Sequence, residues 1–299
     1  REYTFTRQCS REATFMTSIS RSSGMSPQEH VLDQLKYRIK QSAILNNNFG
    51  YLFELFTYLS YPLRKRSTPK GKFVIFGTGR SGSTLLVNLL NSNTSIFCDN
   101  EIYHRKVMFP FLYLRFRSIL GNKAVYGFKC LTYHLGLSLG LDTEEEKKEY
   151  LEKLVEKGYK IIYLRRHNIF RQGMSNLYAR YKNQFHSNAQ AGVKNKGKKM
   201  PVEISELKKW MDALDDQAQV EARLLENIPH LKISYEDDLA KPESHPETFQ
   251  KLSGFLGIEF EAPETQLRKV TPKSLDSFIE NSEEVIQFLH DNGYESYLN

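Results

Sequence analysis

Three glycines within six residues, Gly77, Gly79 and Gly82, run directly into Ser83 and Thr84. Residues of these types at this spacing can bind a phosphate: glycine lets the backbone approach an anion, and amide and hydroxyl groups donate to it. The interval from Gly77 to Gly82 is that of a G-x-x-x-x-G-K-[ST] loop, except that Ser83 takes the lysine position. In nucleoside-triphosphate sites that lysine reaches the β- and γ-phosphates, and the next hydroxyl holds Mg²⁺. Here the cation lies inside the loop, as Arg80. A nucleotide with one 5′ phosphate and a different transferable group suits such a loop. Gly79, Arg80, Ser81, Gly82, Ser83 and Thr84 are therefore candidate binding residues. The competing reading is a tight turn whose glycines serve packing alone, and Arg80 with its three neighbouring hydroxyls counts against it.

The elements that must hold these groups follow from periodicity. Phe73 to Phe76 is an apolar run that predicts a buried strand, and Leu85, Leu86, Leu89 and Leu90 recur at helical spacing after the loop. Four more short strands are predicted, at 95–98, 124–128, 160–164 and 231–234. They lead into Asp99-Asn100-Glu101, Lys129, Arg165-Arg166-His167-Asn168 and Tyr235-Glu236-Asp237-Asp238-Leu239. Between them, helices are expected from Thr143, which forms a capping box with Glu146, to Gly158, and over 169–181 and 203–227. Others are expected around Phe249 to Leu256 and over 282–292. Alternation of this kind predicts an α/β fold: a P-loop-like parallel sheet of about five strands, covered by helices on both faces, with a helical N-terminal extension. Ligand-facing side chains then gather at the carboxyl edge of the sheet.

With those residues in view, GTGRSGSTLL at 77–86 resembles the 5′-phosphosulfate loop of sulfotransferases that use 3′-phosphoadenosine 5′-phosphosulfate (PAPS). The likeness is greatest to the bacterial trehalose type, in which R-S-G-S-T-L-L is typical. The resemblance implies that Arg166 and Ser175 hold the 3′-phosphate, with Arg165 as the fallback; a guanidinium fork and a hydroxyl suit that anion. Gly127-Phe128-Lys129 is similar to the family's G-x-K and implies that Lys129 lies near the transferred group. Glu101 falls where the trehalose-type enzymes carry a carboxylate proposed as general base, and His134 is the second candidate. Segments 231–239 and 281–285 are also similar to the family, so the likeness covers roughly 72–299. It implies in-line sulfuryl transfer from PAPS, leaving PAP, to a hydroxyl of an unidentified carbohydrate, lipid or small alcohol, without a metal. Arg80 and Lys129 would meet the charge that develops on the leaving phosphate. An ATP- or GTP-dependent kinase and a non-catalytic nucleotide-binding module are the alternatives; the missing loop lysine argues against the kinase.

Composition sets the outer limits. A chain of 299 residues, 40% hydrophobic, can bury one sizeable core. No apolar run approaches the ~20 residues of a membrane-spanning helix. Cys9, Cys98 and Cys130 have no metal-ligand spacing and are too few for a disulfide framework, which favours a reducing, cytoplasmic location. Residues 1–72 carry twelve basic against five acidic side chains, the whole of the net +7, while the remainder balances at 30 against 30. The division expected is a basic arm and helical extension over 1–70 and a sulfotransferase domain over 71–299. No recognised motif accompanies the basic residues, so nucleic acid is not an expected partner. The arm should be irregular to about residue 25, with Glu2 and Glu12 counting against a secretory signal, and helical from Pro27 to about Asn46. The aromatic stretch 49–63, followed by Arg64-Lys65-Arg66, is expected to pack on the core, with peripheral membrane contact as the alternative. The charged loop 194–199 is either a solvated linker or a lid over an anion.

Overall fold

The computed structural model describes residues 51, 52, 54–59, 68–181, 199–265 and 274–298. The arm to residue 50, its predicted helix, and all but Lys199 of the loop at 194–199 lie outside the described residues.

Phe73 and Ile75 alternate with Val74 and Phe76, so successive side chains of the first strand point to opposite faces. All four are buried, and each pair seeds a separate core. This strand, β1 (Gly71–Gly77), lies at the centre of a five-stranded sheet. The others are β2 (Ile96–Glu101), β3 (Val125–Leu131), β4 (Tyr159–Arg165) and β5 (His230–Ser234). The order is β2-β3-β1-β4-β5 and every pairing is parallel. Between and after the strands run α1 (Ser83–Asn91), α2 (Pro110–Leu120), α3 (Thr132–Leu137), α4 (Glu144–Glu156), α5 (Ile169–Tyr181), α6 (Ile204–Leu224), α7 (His245–Leu256) and α8 (Ser282–Asp291).

Val74, Phe76, Tyr126, Phe128 and Ile161 pack with α2, α4 and the end of α6 on one face. Phe73, Ile75, Ile162, Leu164 and Ile233 pack with α1 and α7 on the other. A third cluster joins α5, α6 and α8 through Phe170, Met174, Leu207, Met211, Phe278 and Val285. The fold is thus the helix-covered parallel α/β sheet that the sequence predicts.

Two features depart from the expectation. Lys129 does not end β3. The strand continues to Leu131 because it is paired on both sides, by Glu101 of β2 opposite Lys129 and by Gly77 of β1 opposite Leu131. A ladder held on both edges carries a charged residue through, provided the charge is matched. The second departure concerns the aromatic stretch. Its described residues, 51, 52 and 54–59, are helical, but Glu54 and Thr57 are buried while Leu52, Leu55, Phe56 and Leu59 are exposed. Polar groups face the body because Glu54 accepts hydrogen bonds from Met108 N (2.8 Å) and Phe109 N (3.0 Å), at the start of α2. A carboxylate there satisfies donors that a helix N-terminus leaves unpaired.

Candidate functional site

The carboxyl ends of β1, β3 and β4 lie side by side, and the residues leaving them build one site. After β1 the chain turns through Thr78–Ser81 into Gly82. Gly82 has φ 91°, and a side chain there would run into the Tyr235 ring, so both backbone and space demand glycine. Gly79 is different: a Cβ there would meet nothing in the protein closer than 3.8 Å. Packing within the protein leaves its identity unexplained.

Arg80 has φ 63°, a left-handed conformation that non-glycine residues rarely adopt. The turn sends its guanidinium to the start of the β4 connection, where Nε and NH2 donate to Ser175 Oγ of α5 at 3.2 and 2.9 Å. Arg166 arrives from the end of β4, donates from NH1 to Arg80 O at 3.3 Å, and lies over the Tyr235 ring at 4.5 Å. Its Nε is buried without a hydrogen-bond partner, 3.6 Å from Glu236 Oε1. Burial pushes both guanidiniums below their usual value, as expected of cations in a partly dry recess; Tyr235 and Glu236 oppose this at Arg166. Arg165 Nε is likewise buried and unpartnered. Glu236 accepts from His167 N (2.9 Å) and Asn168 N (3.3 Å), which caps α5. Gln172 on the same helix donates to Gly79 O at 2.7 Å. The loop, the end of β4 and α5 are therefore cross-tied around Arg80, Arg166 and Ser175.

On the other side of the loop stands Lys129, only 2% exposed. Its Nζ lies 2.8 Å from Glu101 Oε1 and 3.3 Å from Thr84 Oγ1 on α1. An irregularity in β2 makes this pairing possible. Asp99 is opposite Phe128 and Glu101 opposite Lys129, so Asn100 is the extra residue of a bulge. Without it, Asp99 and Glu101, two apart, would face the same way. With it, Asp99 turns to Arg117 of α2 and the Tyr126 hydroxyl, and Glu101 joins Lys129.

Glu101 also receives the Tyr133 hydroxyl on Oε2 at 3.3 Å, and His134 Nε2 lies 3.4 Å from the same oxygen. Burial raises the Glu101 pKa, but His134 and the Lys129 charge outweigh it and bring the carboxyl down to about 2. His134 Nδ1 accepts from Leu131 N at 3.1 Å. The neutral ring therefore carries its proton on Nε2, the atom that faces Glu101 Oε2.

Arg80, Ser81, Gly82, Ser83 and Thr84 thus fall together with Arg166 and Ser175, and Glu101, Lys129 and His134 form an adjoining cluster joined to the loop through Thr84. Sequence reasoning missed Glu221. This residue of α6 is 1% exposed, and its Oε1 accepts from Thr78 Oγ1 at 2.7 Å and from Thr132 Oγ1. It ties the exit of β1 to the exit of β3. Burial raises its pKa, opposed by the hydroxyls that donate to it. The signal was present in the spacing of Leu207, Met211, Leu214 and Ala218, which places Glu221 on the buried side of α6. Tyr133 and the roles of Tyr235 and Glu236 carry no such periodic signal. Among the described residues no group of His, Cys, Asp and Glu could hold a metal ion.

No family model matches the sequence, and no curated protein matches it. Among solved structures the chain is similar to mouse sulfotransferase SULT7A1, crystallised in complex with PAP. Identity is 13% and the TM-score 0.38, over 66% of this chain and 62% of that one.

Proposed function

We propose that the protein is a sulfotransferase that moves the sulfuryl group of PAPS to a hydroxyl of an acceptor by in-line displacement. One observation carries the reading. A glycine loop without the triphosphate lysine is flanked by an arginine cluster on one side and by a buried lysine–carboxylate pair on the other.

The residues present fit the nucleotide. Gly79 leaves open backbone, and Arg166 Nε is a buried donor in want of an acceptor. The loop N–H groups, Ser81, Ser83 and Thr84 would hold the 5′-phosphosulfate; Arg166 and Ser175, with Arg165 close by, would hold the 3′-phosphate. When bound, PAPS supplies an activated sulfuryl group on a phosphate leaving group. Lys129, fixed between Thr84 and Glu101, keeps a positive charge where negative charge builds up, without needing to reorganise. Glu101 is the proton acceptor in this reading. His134 has one ring nitrogen occupied by Leu131 N–H and a proton on the other, so it serves Glu101 as a donor rather than competing with it as a base. Tyr133 OH and His134 both fix Oε2, the oxygen left after Oε1 pairs with Lys129.

Titration calorimetry with PAP, ATP and Mg-ATP tests the assignment. PAP should bind at micromolar strength or better without Mg²⁺, and ATP much more weakly. A preference for Mg-ATP overturns it in favour of a kinase-like site. With PAP binding established, mass spectrometry of hydroxylated acceptors incubated with PAPS identifies the class of acceptor.

A further inference from the structure

The helical residues 54–59 are seated on α2 by their polar side. Glu54 bonds Met108 N and Phe109 N, and the Tyr58 ring lies 5.0 Å from that of Phe116. Leu52, Leu55, Phe56 and Leu59, spaced at three and four residues, form the opposite side and are each more than half exposed. Where the two elements meet, Met108 and Phe109 are more than half exposed as well. Scattered exposed leucines need no explanation, but an apolar strip beside two further exposed apolar side chains does.

Apart from the buried Glu54, the charged side chains of these two segments are all basic. Residues 102–120 contain no Asp or Glu, and the only carboxylate in 51–59 is Glu54, which is buried and occupied. Lys106, two residues before Met108, is exposed, and so is Arg115 on α2. An apolar face whose own segments carry exposed cations and no exposed carboxylate matches the interface of an anionic bilayer: apolar side chains enter the acyl boundary and cations meet the headgroups. Among the described residues no helix is long and apolar enough to cross a membrane, so this is contact along the surface.

We propose that the face formed by Leu52, Leu55, Phe56, Leu59, Met108 and Phe109 docks the protein on an anionic lipid surface. The inference is independent of the reaction assigned above.

Co-sedimentation of the full chain with two kinds of vesicle tests it, phosphatidylcholine alone and phosphatidylcholine mixed with phosphatidylserine. The chain should sediment with the mixed vesicles and much less with the neutral ones. Leu55→Glu with Phe56→Glu should weaken that binding about tenfold or more while the melting temperature stays at the wild-type value, because both side chains already face water. Leu52→Glu with Leu59→Glu, on the same strip, should do the same and guards against a local effect of the first pair. Lys106→Glu and Arg115→Glu should each cost about fivefold or more and flatten the salt dependence. Failure to sediment with mixed vesicles overturns the proposal, as does binding that both leucine–phenylalanine strip variants leave intact. A dimer in light scattering that Leu55→Glu with Phe56→Glu splits, without vesicle binding, assigns the face to a second copy instead.

Discussion

Arg80 combines a backbone angle that side chains avoid with a guanidinium turned to Ser175. The left-handed angle costs on the order of 1 kcal/mol, which glycine would not incur. Arg80→Gly should therefore leave the melting temperature within a few degrees of wild type, with relief of strain offsetting the lost bonds. PAP affinity should fall by about ten- to a hundredfold, the worth of charge-assisted hydrogen bonds of about 1.5–3 kcal/mol. Calorimetry and a thermal melt on the same sample read both; undiminished affinity removes Arg80 from the site. Glu101 yields a test in pH. With its carboxyl brought down to about 2, it is ionised throughout pH 4 to 7. In the free enzyme, kcat/KM should then show no acid limb between pH 4 and 7, whereas an acid limb in that range would take the base role away from Glu101. Glu101→Gln should lower the rate by a factor of ~10² to 10⁴ and leave PAP affinity close to wild type. The same depressed pKa is a stability contribution present above the ordinary 4.5 and lost as pH falls toward 2.

At the level of elements, Glu221 decides whether the loop after β1 and the start of α3 keep their spacing, since one oxygen holds Thr78 and Thr132 together. Glu221→Ala leaves two threonine hydroxyls without their acceptor, one of them buried, and should destabilise the fold by about 2–4 kcal/mol. Glu221→Gln retains an accepting oxygen and should cost far less. The pH dependence runs opposite to that of Glu101. Burial raises the folded-state pKa of Glu221, so its ionisation opposes folding; stability falls as pH rises from 4.5 through the raised value, and Gln abolishes that slope. Denaturant titrations of wild type and Gln variant at pH 5 and 8 measure the difference directly; equal slopes with pH would mean that Glu221 is not an ionising member of the site. The same helix shows what sequence makes legible. The alternation of Phe73 to Phe76 and the helical spacing in α6 record burial, and burial is periodic, so strands, helices and even the inward position of Glu221 can be read from it. The bulge at Asn100 cannot. It inserts one residue where no glycine or proline marks it, yet it separates Asp99 from Glu101 and brings Glu101 to Lys129. Loop contacts such as Arg166 over Tyr235 depend on strands far apart in the chain, and no local pattern records them.

At the scale of the whole molecule, the described residues before Thr68 are joined to the body by polar contacts on Glu54. Aromatic content at 49–63 predicts an apolar side turned inward, a reading blind to the single carboxylate in that run. Glu54 holds the observed orientation by accepting from Met108 N and Phe109 N, just before α2. A chain beginning at Thr68 loses those two charge-assisted bonds, the Tyr58–Phe116 ring contact and the Thr57 hydrogen bond to Tyr113, a member of the core beneath α2. The loss should come to about 2–4 kcal/mol after the entropy regained by releasing the segment, or a melting temperature lower by roughly 5–15 °C. The shortened chain should also be less prone to aggregate than the full one, since four exposed apolar side chains depart with the segment. Glu54→Gln in the full chain separates the two effects: it should reproduce much of the drop in melting temperature and none of the gain in solubility. Differential scanning fluorimetry with static light scattering on the three proteins reads both quantities. Should the chain from Thr68 aggregate while Glu54→Gln melts like wild type, residues 51–59 cover apolar core surface after all, and the polar contacts on α2 are incidental.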